Sequence, residues 1–107
     1  MNSALSDNKM MNDRQSDKEF VIKFYDNLLV ICDKEILNKN FSTIKFNKRF
    51  YNGFLVDKNE IMKYIEKYDN INVFGNKIVN FLIKQGVIRN FIEIEGQKFA
   101  IIVKIKR

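Results

Sequence analysis

The sequence predicts an α+β fold: a small single domain with β-hairpins at both ends of the chain, packed with two short central helices. Three observations carry this reading. Residues 20–32 and 91–106 each place β-rich runs on either side of a two-residue turn signal. Between them, residues 57–68 and 75–85 repeat apolar side chains at helical spacing. A chain of 107 residues, finally, has room for one core and not two.

Residues 1–19 are rich in Asn, Ser, Asp and Lys, have no apolar periodicity, and are expected to form a disordered extension to a domain spanning 20–107. Phe20–Tyr25 and Leu28–Cys32 flank Asp26-Asn27, two residues that tolerate positive φ, so a hairpin should pair Phe24 with Leu29 and Ile22 with Ile31. Asp33 is expected to cap one helical turn through Glu35 and Leu37, with Asn38 ending it in the left-handed region. Phe41–Phe46 reads as a strand, and Phe50-Tyr51-Asn52-Gly53-Phe54 as an aromatic turn. Asp57-Lys58-Asn59-Glu60 is a capping-box variant that opens a helix to about Tyr68, with Ile61, Tyr64, Ile65 and Tyr68 as its stripe. A second helix spans about Gly75 to Gln85, buries Ile78, Val79, Leu82 and Ile83, and stops at Gly86. The apolar link Asp69–Phe74 is short enough to make the two helices packed neighbours. In the last hairpin a turn at Gly96-Gln97 would pair Ile94 with Phe99 and Ile92 with Ile101. One face of it then carries Ile92, Ile94, Phe99, Ile101, Val103 and Ile105.

Composition excludes several chemistries. The chain has no histidine and a single cysteine, Cys32, so Ser-His and Cys-His catalysis are out, as is a structural zinc site. No metal, cofactor or membrane span is expected: the run Leu28–Cys32 falls far short of a bilayer-crossing segment. Residues 1–19 hold no apolar run that could serve as a signal peptide, and one unpaired cysteine fits a reducing interior, so the expected location is the cytoplasm.

Net charge is +6, and residues 20–107 carry sixteen basic against nine acidic groups, a net +7. Such a domain invites a polyanionic partner. Fifteen Lys, fourteen Asn and fifteen Ile are also what an AT-rich genome supplies whatever the function, so basicity has a compositional reading beside the electrostatic one.

Three short runs have a family look. They are Cys32-Asp33-Lys34-Glu35-Ile36-Leu37-Asn38-Lys39, Phe50-Tyr51-Asn52-Gly53-Phe54-Leu55-Val56 and Asn72-Val73-Phe74-Gly75-Asn76. In order and spacing they resemble a family of small archaeal proteins catalogued as domain of unknown function 424, over about Phe20 to Ile105. The resemblance implies an archaeal source and suggests a link to translation. It supplies no established activity. Two positions depart from the family pattern: Asn38 stands where the family has glycine, and Phe99 where it has histidine.

The candidate sites follow. Cys32 and Asp33 could form a reactive pair, but an adjacent carboxylate raises a thiol pKa, and Cys32 ends an apolar strand, as a packed small hydrophobe would. Asn72 to Asn76 leads into a helix N-terminus able to hold an anion; the structural alternative is that Asn72 satisfies turn groups and Gly75 permits an unusual backbone. Tyr51 and Gly53 complete the family motifs without an assigned role. Lys45, Lys48 and Arg49 interleave with Phe46, Phe50 and Tyr51, and Lys98, Lys104, Lys106 and Arg107 form a second basic segment. Charge beside rings is what single-stranded RNA binding uses; the alternative is core rings and solvated lysines guarding a sheet edge.

The leading expectation is therefore a non-catalytic accessory protein that contacts RNA through those seven cations, in the translation apparatus or on the ribosome. The alternative is a protein–protein adapter using the Phe50–Val56 turn or an exposed sheet edge. A carboxylate enzyme using Asp33 or Asp57 comes third.

Overall fold

The computed structural model describes residues 18–42 and 47–105. The strands are β1 (Phe20–Tyr25), β2 (Leu28–Asp33), β3 (Phe54–Val56), β4 (Asn70–Phe74), β5 (Ile92–Ile94) and β6 (Gln97–Val103). The helices are α1 (Lys48–Tyr51), α2 (Lys58–Lys67) and α3 (Asn76–Lys84), with a 3-10 turn at Lys34–Asn38. The strands form one mixed sheet in the order β3-β1-β2-β4-β6-β5. Among the described strands only β2 and β4 run parallel; every other neighbouring pair is antiparallel. The domain is α+β, with a hairpin at each end.

The first hairpin has the expected register, Phe24 opposite Leu29 and Ile22 opposite Ile31. Of its two turn residues only Asp26 takes positive φ, at 31°. The capping box forms in both directions: the Glu60 N–H donates to Asp57 Oδ1, and the Asp57 N–H donates to Glu60 Oε1. Gly86 ends α3 with φ +75°.

Several expectations are corrected. Asp33 makes no side-chain cap on the turn that follows it, and that turn is 3-10. Asn38 is not left-handed; Asp26 and Glu95 are the described non-glycine residues with positive φ. Phe41 and Ser42 are not in a strand, and the rest of the segment read as one lies outside the described residues. Part of the expected aromatic turn is the short helix α1, whose Asn47 cap accepts the Arg49 N–H. The link read as a connection between helices is strand β4, central in the sheet. Five residues between two helices look like a linker, but Ile71 and Val73 alternate with Asn70 and Asn72 as a strand requires.

The last hairpin turns at Glu95-Gly96, one position earlier than expected, because both residues take positive φ (48° and 84°) as a primed turn needs. Ile92 therefore faces Phe99, and Ile94 faces Gln97. The partner shift is two residues, so each side chain keeps its face of the sheet.

Helices α2 and α3 cover one face. Phe20, Ile22, Leu29, Ile31, Ile71 and Val73 meet Ile61, Ile65, Ile78, Val79 and Leu82 there, all of them buried. The opposite face has a smaller cluster of Val21, Val30, Cys32, Ile36, Tyr51 and Phe74, covered by the 3-10 turn and α1. Phe41, Phe99 and Ile94 extend the cluster toward the last hairpin, where Ser42 donates to Glu95 Oε1; among the described residues Ile92, Ile101 and Val103 stay exposed.

Candidate functional site

The family motifs meet at the C-terminal ends of the parallel pair β2 and β4. Asp33 closes β2, and its carboxylate accepts the N–H of Lys77 at 2.9 Å and of Ile78 at 2.8 Å. It thus caps α3, a helix more than forty positions away in sequence, rather than the turn beside it. Gly75 precedes α3 with φ +131°, and a Cβ there would lie 2.4 Å from the Asp33 carboxyl carbon. Only glycine fits. The Gly75 N–H donates to the Lys98 carbonyl, and Asn76 bridges to the last hairpin by donating to the Gly96 carbonyl and accepting the Lys98 N–H. The Asn76 N–H donates to Gln97 Oε1. The helix terminus offered for an exogenous anion is therefore filled from within: the carboxylate of Asp33 is the anion.

Burial pushes the Asp33 carboxyl above the ordinary aspartate value, with the Lys77 and Ile78 N–H groups pulling the other way. Burial, and then the charge of Asp33, push the Cys32 thiol up to about 12. A fully buried thiol held in its protonated form is no nucleophile. Lys77 lies above, its Nζ 2.9 Å from Glu35 Oε1 and 3.6 Å from Glu19 Oε1; the Glu35 hydrogen bond lowers that carboxyl and raises the lysine.

The second motif pair is Tyr51 with Asn72. The Tyr51 hydroxyl donates to Asn72 Oδ1 at 2.9 Å, which fastens α1 onto β4 across the open face. Burial raises the Tyr51 pKa. Two further bonds hold α1 to β1: Tyr25 donates its hydroxyl to the Phe50 carbonyl, and Lys23 Nζ donates to the Arg49 carbonyl. Gly53 lets the chain pass β1, since a Cβ there would fall 1.8 Å from the Ile22 carbonyl oxygen. Cys32, Asp33, Tyr51, Gly53, Asn72 and Gly75 are thus all engaged in packing or latching. Asp57, the other carboxylate considered for catalysis, is engaged in its capping box. Among the described residues no group of three or more His, Cys, Asp and Glu side chains is placed to hold a metal ion.

The basic candidates do not assemble into one strip. Lys48 and Arg49 are exposed on α1, on the open face. Lys98 and Lys104 point to the opposite, helix-covered side. Lys98 Nζ donates to Asn80 Oδ1 at 2.7 Å and stands 4.8 Å from the Phe91 ring centre. Lys104 Nζ donates to the Ile65 carbonyl. Lys45, Lys106 and Arg107 lie outside the described residues.

A feature not singled out from the sequence as a site is the bare half of the open face. Ile92, Ile101, Val103 and Ile105 are 60%, 63%, 63% and 86% exposed. Their main chain adds to this. The Lys104 N–H donates to the Asp69 carbonyl, so the even-numbered residues of β6 aim their peptide groups at β4. The odd-numbered residues aim theirs outward. β5 takes those of Gln97 and Phe99, and those of Ile101 and Val103 meet no main-chain partner among the described residues. Alternating Ile and Val in the last hairpin were the available signal; what sequence left open was which side of the strand would be covered.

Comparison with known proteins gives a fold and a family. No curated protein matches the chain in sequence. Among solved structures, the chain is similar to one titled as an uncharacterized conserved protein from Methanopyrus kandleri, with a TM-score of 0.58 at 16% identity. That likeness covers 82% of this chain and 95% of the other, and at that identity it speaks for the fold alone. The family model described as "Protein of unknown function (DUF424)" matches residues 23–105, which is most of the chain, so the chain belongs to that family.

Proposed function

We propose that this protein is a non-catalytic adapter that docks an extended segment of a protein partner along the outer edge of β6. One observation carries the reading: Ile101 and Val103 combine outward-facing peptide groups that lack a main-chain partner among the described residues with side chains 63% exposed. Strand addition uses those two elements together, main-chain bonds for affinity and alternate side chains for selection. An edge of this kind is otherwise an aggregation hazard, and natural sheets blunt or cover it. The absence of histidine, and the engagement of the motif side chains in latches, support a binding role over a catalytic one. A reducing, cytoplasmic setting belongs to this reading, supported by the free, buried Cys32.

The test is recovery of partners from native lysate by the wild-type chain and by an Ile101→Asp/Val103→Asp variant, each with and without ribonuclease. The adapter reading expects a ribonuclease-resistant protein that the variant loses. Recovery that is ribonuclease-sensitive and indifferent to the variant overturns it.

A second reading keeps RNA as the partner, in a translation- or ribosome-associated role. It is favoured by Lys48 and Arg49, exposed on α1 beside the Tyr25 and Phe50 rings, which stack with centres 5.0 Å apart. It expects single-stranded RNA affinity to fall with salt, by a logarithmic slope of about −0.7 per phosphate contact. Replacing Lys48 and Arg49 by Glu should make that slope shallower; an unchanged slope removes this reading.

A further inference from the structure

Resting on the edge-docking reading, we infer that the partner segment is an acidic strand, in which apolar β-branched residues alternate with carboxylates. The two sides of the β6 edge differ in chemistry. On the open face an incoming strand meets Ile101 and Val103, with Ile105 beyond them and Ile92 and Phe99 beside them. Every second residue of the partner lands there, and only an apolar side chain covers that surface without stranding a polar group.

Toward the helices, the edge opens on a groove in which Val87, Ile88, Arg89 and Asn90 stand across from Ile101, Ile102 and Val103. Arg89 is exposed at its rim, and no hydrogen bond or ion pair of its side chain is found among the described residues. Lys104, one residue past the end of β6, is the next side chain on that side. Its ammonium donates to the Ile65 carbonyl. The intervening residues of the partner therefore lie beside Arg89 and Lys104, where Asp or Glu gains and Lys or Arg is repelled.

Charge also argues against a second copy of this chain as the occupant. Antiparallel pairing of two β6 edges about Val103 would bring together two chains of net charge +6, each with Lys104 beside the seam. The length is set by β5, which occupies the edge as far as Phe99. From Ile101 to Ile105 the edge has no strand partner among the described residues, which leaves room for about five residues, roughly 17 Å of strand.

The experiment uses three labelled peptides of one length: Glu-Val-Asp-Val-Glu-Ile-Asp, its Gln/Asn counterpart and its Lys counterpart. Binding to the full chain is read by fluorescence anisotropy at low and high salt. Sedimentation of the free chain is measured alongside. The acidic peptide should bind at least tenfold more tightly than the neutral one, and the Lys peptide should not bind. Arg89→Glu should remove most of that tenfold preference. Val103→Pro should abolish binding of both peptides while leaving the fold intact, because the Val103 N–H points away from β4 and proline is tolerated there.

Equal binding of acidic and neutral peptides, lost in Val103→Pro, overturns the acidic-strand inference and leaves edge docking standing. Failure of all three peptides overturns both. A dimer that Val103→Pro dissociates assigns the edge to a second copy and overturns the inference. Polyuridylate that displaces the acidic peptide, and binds Val103→Pro as it binds wild type, gives the cations to RNA and does the same.

Discussion

Two halves of one sheet face differ only in what lies on top of them. Val30, Asn72 and Ile101 form a continuous row across β2, β4 and β6, each opposite the next. Val30 is fully buried, and Ile101 is 63% exposed. Both are β-branched, both alternate with residues of the other face, and nothing in the local pattern separates them. The difference is the crossover from β2 to β4, which lays the 3-10 turn and α1 over the β1–β2 half, where Ile36 and Tyr51 seal the cluster. The chain returns along β4 and places α3 on the other face, so cover over the β6–β5 half reaches only Phe99, Ile94 and, through Ser42, Glu95, and among the described residues it leaves Ile92, Ile101 and Val103 exposed. Apolar alternation declares that a strand has an apolar face. It does not say that the face is buried.

The contrast can be broken or sharpened experimentally. The largest effect is expected at the latch that both halves share: Gly75→Ala strains a φ of +131° and drives its Cβ to 2.4 Å from the Asp33 carboxyl carbon. Denaturant unfolding should register a loss of more than about 3 kcal/mol. A loss under about 1 kcal/mol would mean that the Asp33–α3 cap can yield without harm to the sheet.

Next comes the cover itself. Ile36 is fully buried beneath the 3-10 turn, and Ile36→Ala should cost about 3 kcal/mol through lost transfer energy and a cavity. An effect no larger than that of a surface change would show that the covered half is open in solution.

Cys32 supplies a pH-dependent version of the same test. Its folded pKa of about 12 lies above the ordinary 9.0, so the unfolded chain releases the proton first. Its contribution to stability is whole below about pH 9 and is lost as pH rises toward 12. Wild type should therefore lose stability faster than Cys32→Ala across that window, by up to about 1.4 kcal/mol per pH unit. Parallel curves for the two proteins would place the thiol in contact with water.

The smallest effect belongs to the bare half. Ile101→Thr keeps the β-branched shape and should change stability by less than about 0.5 kcal/mol. A loss approaching that of Ile36→Ala would mean that something covers Ile101 in solution, and sedimentation would then identify a second copy or exclude it.

Much of the fold was legible because it is local. A two-residue turn sets the first hairpin register, a carboxylate three positions before another sets the capping box, and 3.6-residue spacing sets the two long helices. The local readings that failed did so where one distant partner outbid a neighbour. Asp33 beside a helical turn reads as its cap, yet the deeper donors are the N–H groups of Lys77 and Ile78, reached only because β2 and β4 run parallel and end together. Residues 69–74 read as a linker because a central parallel strand needs a neighbour on either side before its alternation means anything. The Glu95-Gly96 turn was misplaced by one position, since Gly96-Gln97 also contains a glycine, and only the backbone at Glu95 distinguishes the two.

The sequence by itself determined the fold class, the family motifs, the absence of histidine chemistry and the basic balance of the domain. Those depend on composition and on spacings within a dozen residues. Tertiary structure alone decided that the motif residues latch the ends of β2 and β4. It also separated Lys98 and Lys104 from Lys48 and Arg49 onto opposite faces, and it left the outer edge of β6 open. Each of these depends on strand order and on which face a crossover covers, and those are set by contacts between segments far apart in the chain.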